Sequence, residues 1–291
     1  MTAAIQAKHF LGIGDISAET LKARYSQDAY YLKVQGVDAR IKESGQGEPL
    51  LVLHGFSSSA DTWDGWRNEL SDQFRVIAID VPPFAITGPL LHTKTTPDVV
   101  VHFINAVVEK LGIKHFHLAG NSLGGYLSWN YTLHYPTKVK KLILIDSAGY
   151  AKVAPLAVVL MRGKGIRHLT KHVAPLPFII QSVRSAYADS SRIPKGTIRR
   201  YQDLLRREGT RAAIADMMRG MSADSALIKS IRVPTLIMWG AKDTWIPPQH
   251  GQCFQRDIAH SKLITYDDLG HIPMEEDPKR TAADARHFLT R

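Results

Sequence analysis

Five short apolar runs recur along this chain, and their length limits what it can fold into. Leu50–Leu53, Arg75–Asp80 (RVIAID), Phe116–Ala119, Lys141–Asp146 (KLILID) and Thr235–Trp239 (TLIMW) are each too brief for a helix. They are apolar almost throughout rather than at alternate positions, as expected of strands covered on both faces in a parallel sheet. Between them the periodicity becomes helical. Thr96, Pro97 and Asp98 form an N-cap, a first-position proline and an acidic first turn. Val100, Ile104, Val107, Val108 and Leu111 then make one apolar stripe, which Gly112 ends. A second helix is expected from Leu123 to about His134, stopped by Pro136. This alternation predicts an α/β protein with a mostly parallel central sheet, helices on both faces and right-handed crossovers.

Ser17 reads as the cap of a short helix reaching about Tyr25, with Glu19 in its first turn. The segment Tyr30–Lys42 reads as a β-hairpin around Gly36, with Val34, Val37, Ala39 and Ile41 facing inward. The longest apolar runs, Ala174–Ile180 and Pro234–Trp239, fall far short of the ~20 residues that span a bilayer. No basic start followed by an apolar stretch and a small-residue cleavage site opens the chain. The single cysteine, Cys253, excludes an intrachain disulfide and an all-cysteine metal site. Together these features predict a cytoplasmic location.

The formal net charge of +10 is unevenly distributed. Residues 151–230 hold fifteen Lys+Arg against five Asp+Glu, and the remainder holds twenty-two of each. The same block breaks the strand–helix rhythm: Pro175, Pro177 and Pro194 punctuate it, and only Phe178–Val183 resembles a strand. The expected organisation is an N-terminal extension (1–29), an α/β core (30–150 and 231–291) and a helical insertion (151–230). Aromatics are sparse around Arg199, Arg200, Arg206, Arg207, Arg211 and Arg219 (Phe178, Tyr187 and Tyr201), and no nucleic-acid motif accompanies them. Specific nucleic-acid binding is therefore not expected. The block reads as solvated surface, with at most weak contact to anionic surfaces.

The sharpest local signal is Gly120-Asn121-Ser122-Leu123-Gly124-Gly125, between a strand and a helix. A G-x-S-x-G at that junction puts serine on a tight bend, with its hydroxyl projecting above the sheet at a helix N-terminus. Upstream, His54-Gly55-Phe56 follows the strand Leu50–Leu53. The backbone N–H groups of Phe56 and Leu123 could then form an oxyanion hole, while His54 serves the loop through hydrogen bonds. Downstream, Asp243 follows the strand Thr235–Trp239 and His271 lies in a loop before the last helix. Asp80 and Asp146 also end strands and compete as the acid. Asp243, after the later strand, completes the order Ser122, Asp243, His271 of nucleophile, acid and base.

With these residues in place, the chain resembles the α/β-hydrolase fold family, in its branch with a helical cap. The pieces GNSLGG, HGF, LILIDSAG, WGAKD and GHIPMEEDP carry the likeness from about Tyr30 to Phe288. The resemblance implies an eight-stranded sheet, a cap after the sixth strand, and serine hydrolysis with neither metal nor organic cofactor. Serine at the elbow argues against the dehalogenase and epoxide-hydrolase branches. One departure stands after Asp80, where the family runs D-x-P-G-x-G and this chain has Val81-Pro82-Pro83-Phe84-Ala85. If that loop needs the positive φ open to glycine, it must be rebuilt here. Carboxylic esters of short-to-medium acyl length are the expected substrates, cleaved through an acyl-enzyme. Met217, Met218 and Met221, at helical spacing, and Ile272 are expected to line the pocket. A carbon–carbon bond hydrolase of a vinylogous diketone is the alternative, since Asn121 gives a GNS-type elbow. HGFSSS and Ile272 depart from that group. A ligand-binding protein that retains the triad is a further reading.

Overall fold

The computed structural model describes residues 10–150, 173–221 and 225–291. The Ser17 hydroxyl accepts the Thr20 N–H at 3.2 Å and starts α1 (Ala18–Tyr25). The hairpin forms as β1 (Tyr30–Val34) and β2 (Val37–Ser44), and its four expected inward residues are buried. The chain continues through β3 (Glu48–Leu53), α2 (Asp64–Leu70), β4 (Phe74–Ile79), α3 (Pro97–Lys110), β5 (Phe116–Asn121), α4 (Leu123–His134) and β6 (Val139–Ile145). Among the described residues there next follow the α-helices α5 (Leu176–Ala186), α6 (Thr197–Leu205) and α7 (Thr210–Gly220). The chain then runs through β7 (Thr235–Gly240), α8 (Gln249–Asp257), β8 (Ser261–Tyr266), α9 (Pro273–Glu276) and α10 (Pro278–Leu289).

Among the described residues the strands form one eight-stranded sheet in the order β1-β2-β4-β3-β5-β6-β7-β8. Only the pairings of β1 with β2 and of β2 with β4 are antiparallel. The apolar runs have a simple cause: neighbouring residues feed different cores. Leu51, Leu53, Leu142, Leu144, Ile237 and Trp239 pack on one face. Leu50, Val52, Ile143, Ile145, Leu236 and Met238 pack on the other. With both faces covered, no strand position in the centre can be polar without a partner. Helix α4 is buried along most of its length, so its sequence lacks the usual polar face.

Two expectations need correction. Phe178–Val183 is helical, within α5, and Ile179, Val183 and Ala186 bury one face at helical spacing. Ala85 adopts φ +55°, so the left-handed conformation in the loop after Asp80 is retained without glycine. The Ile86 N–H donates to Asp80 Oδ2 at 3.0 Å, which holds that turn closed. Strand β8 lacked a strong sequence signal because Ser261, Lys262 and Thr265 interrupt its apolar positions at the sheet edge. Of the block 151–230, the described residues contain helices and 3₁₀ turns and no strand. No helix among the described residues is long and apolar enough to cross a membrane.

Candidate active site

Ser122 sits between β5 and α4 at φ +56°, ψ −115°, a conformation rarely adopted by residues other than glycine. The bend is anchored on both sides. The Ser122 N–H donates to the Ile145 carbonyl at 3.0 Å, and the Ser122 carbonyl accepts from Tyr126 at 3.0 Å and Ala148 at 3.1 Å. Its glycine neighbours permit backbone contact: a Cβ on Gly124 would lie 2.1 Å from the Leu53 carbonyl oxygen. This contact brings the end of β3, and hence Gly55 and Phe56, beside the serine. Leu123 opens α4, where the first N–H groups lack intrahelical acceptors.

Asp243 and His271 arrive from the loops after β7 and β8, with 2.8 Å between Asp243 Oδ2 and His271 Nδ1. Asp243 is fixed through Oδ1, which accepts the N–H groups of Trp245 at 2.6 Å and Ile246 at 3.0 Å. His271 is fixed through its backbone: its N–H donates to the Ala186 carbonyl at 2.8 Å, and its carbonyl accepts from Asn121 Nδ2 at 2.9 Å. The Trp245 ring stacks on the imidazole, with 5.2 Å between centroids and 15° between planes. Glu276 accepts the N–H groups of Gly270 at 2.8 Å, Asp189 at 2.8 Å and Ala188 at 3.2 Å. One carboxylate thus ties the histidine loop to the end of α5.

Ser122, His271, Phe56 and Ile272 line one cavity together with Ser58, Asn121, Phe178, Ile179, Val183, Tyr201, Leu205, Ile214 and Trp245. The space measures about 890 Å³ when counted out to its open mouth. No lysine, arginine, aspartate or glutamate is among its described lining residues. Tyr201 donates to the Ser58 hydroxyl at 3.0 Å, and burial raises its phenol above the ordinary range. Met217, Met218 and Met221 do not line this cavity. Met217 is fully buried in the core, and Met218 and Met221 pack against that core. Helix α7 reaches the cavity one turn earlier, through Ile214. Trp245 lies in no motif, and Glu276, though within GHIPMEEDP, was given no role by the sequence, because stacking and loop clamping depend on contacts across the fold.

The rival acids have other partners. Asp80 accepts the Ala60 N–H at 2.8 Å, the Ile86 N–H at 3.0 Å and Arg40 Nη1 at 3.3 Å, joining the loops after β3 and β4. Asp146 accepts the Gly240 N–H at 3.0 Å. His54 is enclosed: Nδ1 donates to the Gly55 carbonyl at 2.8 Å, and Nε2 accepts the Val81 N–H at 2.8 Å. Burial lowers its pKa, so the folded protein favours the neutral ring. A histidine depressed on folding binds more protons when unfolded, so its contribution is lost as pH falls through the unfolded value of about 6.5. Wild type is therefore expected to lose stability between about pH 7 and 5 more steeply than His54→Gln, by up to about 1.4 kcal/mol per pH unit. Parallel urea-unfolding curves at several pH values test this; equal slopes would show that His54 is not protected from protonation.

Residues 48–278 match the family model described as the alpha/beta hydrolase fold. The chain is similar to Lipase 3 of Moraxella sp. (strain TA144), 25% identical, with 83% of this chain and 77% of the lipase covered. It is equally similar, at 25% identity, to a 2-hydroxy-6-oxononadienedioate/2-hydroxy-6-oxononatrienedioate hydrolase of Klebsiella pneumoniae, covering 86% of this chain and 90% of that enzyme. Among solved structures, a thermophilic esterase from Thermogutta terrifontis superposes with a TM-score of 0.76 at 23% identity, covering 91% of this chain and 98% of the esterase. At that identity the superposition shows the shared fold alone.

Proposed function

The chain belongs to the alpha/beta hydrolase fold family, and from that premise we propose that it is a serine hydrolase of carboxylic esters with uncharged acyl groups. The observation that carries this reading is the lining of the cavity: Ser122 and His271 open onto apolar walls with no cationic side chain among the described residues. Hydrolases of dienedioates, such as the Klebsiella relative by its name, act on substrates bearing carboxylates. Burying a carboxylate in this cavity without a cation would cost several kcal/mol of lost hydration. An alkyl ester carries no such charge and leaves its alkoxide more readily than an amide leaves its amine.

In the proposed reaction Asp243 accepts a hydrogen bond from the Nδ1–H of His271, which keeps its proton and leaves Nε2 as the base. His271 removes the Ser122 proton as the oxygen adds to the ester carbonyl. The tetrahedral oxyanion is stabilised by the N–H groups of Phe56 and Leu123, and the imidazolium then protonates the departing alcohol. Water repeats the sequence on the acyl-enzyme, returning the acid and Ser122. Helices α5–α7 belong to a cap in this reading, with Phe178, Ile179, Val183 and Ile214 contacting the acyl chain.

A panel of p-nitrophenyl esters of increasing chain length, together with a vinylogous 1,5-diketone acid, tests the assignment. The esters should turn over and the diketone should not. Cleavage of the diketone alone would replace the ester reading with carbon–carbon bond hydrolysis. Stable binding without turnover of either would indicate a ligand-binding protein.

A further inference from the structure

Beside the Asp243–His271 pair lies a second carboxyl group that the proposed reaction does not use. Asp146 directly follows β6, is fully buried, and does not line the cavity. Its backbone is held where β6 meets β7, the N–H donating to the Met238 carbonyl at 3.0 Å. Side-chain Oδ1 accepts the Gly240 N–H at 3.0 Å, whereas Oδ2 is buried without a hydrogen-bond partner. One oxygen of Asp146, one of Asp243 and a ring nitrogen of His271 all lie within 4.8 Å of one another.

Two carboxylates this close and this dry do not both ionise, because each charge repels the other and neither retains its hydration. The partners show which one holds the charge. Asp243 has two backbone N–H donors on Oδ1 and the His271 ring on Oδ2. Asp146 has one donor and an orphan oxygen. Ionised, that orphan would be an unpaired buried anion; protonated, it becomes a donor with the Asp243 carboxylate nearby. Burial and the Asp243 charge push Asp146 well above the usual carboxylate range, and Glu276 acts in the same direction. The titratable groups facing it are Asp243, His271, Tyr266 at the end of β8 and Glu276 in α9.

We propose that Asp146 is a positioning residue that keeps its proton and donates a hydrogen bond from Oδ2 to Asp243, fixing the acid that orients His271. This rests on the reading of Asp243 and His271 as the acid and base of an ester hydrolase. Asparagine can reproduce the arrangement, with its amide N–H replacing the carboxyl O–H and its oxygen still accepting from Gly240. Leucine keeps the size and loses both hydrogen bonds.

The first test needs no substrate. Infrared spectra of the full chain at neutral pH separate the C=O stretch of a protonated carboxyl from ionised carboxylates. D146N should remove one such band. An unchanged spectrum would overturn the proposal whether or not the protein cleaves esters. The second test is kinetic, on p-nitrophenyl butyrate. D146L should lower kcat about tenfold or more with little change in KM, and D146N should restore it to within about threefold of wild type with the same pH profile. A D146N defect as large as that of D243N, or a displaced acidic limb, would mean that Asp146 acts as an anion and would overturn the proposal. Full activity in D146L would do the same. If D146L fails to fold, the D146N profile and spectrum decide. Absence of ester turnover in wild type refutes the proposed function and leaves the infrared outcome to judge Asp146.

Discussion

Ser122→Ala is expected to lower kcat on p-nitrophenyl butyrate by about 10⁴- to 10⁶-fold while leaving the fold intact. Losing the hydroxyl removes the covalent route. What remains is whatever the cavity and the N–H groups of Phe56 and Leu123 contribute to attack by water. Alanine keeps a Cβ at the same backbone position, so the bend at φ +56° carries about the same strain as in wild type. Thermal unfolding should therefore shift little, which separates loss of chemistry from loss of structure. Comparable turnover by Ser122→Ala and wild type would remove Ser122 as nucleophile and the acyl-enzyme with it.

Gly124→Ala is expected to act through stability, costing about 3 kcal/mol or more. The added Cβ would lie 2.1 Å from the Leu53 carbonyl oxygen and 2.6 Å from that of His54, both backbone atoms. Either β3 or the serine bend must move, and moving either one separates Phe56 from Leu123. Gly112→Ala is the control. That glycine has φ +70° but open space around it, so alanine there meets only the backbone penalty of about 1 kcal/mol. Urea midpoints of the two variants measure the difference. Equal midpoints would mean that the close approach of α4 to β3 contributes nothing to holding the site.

Much of this arrangement was legible in the chain itself, and the reasons are local. The capping of α3 by Thr96, the extent of α4 from Leu123 to His134 and the inward residues of the hairpin follow from patterns spanning a few residues. The continuous apolar character of Leu50–Leu53 and Lys141–Asp146 reflects burial on both faces, which depends on the environment of each strand and not on which strand lies beside it. The serine bend was visible for a similar reason: a backbone approach as close as that of Gly124 to Leu53 leaves only glycine at that position, and glycine is read directly.

Elements whose stability comes from neighbours were less visible. Strand β8 has a polar edge sequence and is specified by pairing with β7 from Thr235–Ser261 to Gly240–Tyr266. The segment Phe178–Val183 resembled a strand because a short apolar run has no period of its own. The burial of Ile179 and Val183, continued by Ala186 in the same helix, follows only from what lies under it. The methionines of α7 illustrate the converse. Met217 and Met218 lie within the helix and Met221 just past its end, but which way their side chains face depends on how α7 docks, and it docks with Met217 in the core.

The candidate site divides along the same line. Residue types, chain order and strand-end positions single out Ser122, Asp243 and His271, because each must leave the sheet at a carboxyl end to meet the others. Folding alone brings the partners that orient them: Trp245 stacked on His271, Asn121 on its carbonyl, Glu276 clamping its loop, and Asp146 buried against Asp243. Those contacts join residues as much as 150 positions apart. No short-range pattern encodes such pairs; they arise when the sheet sets several loops within hydrogen-bonding reach.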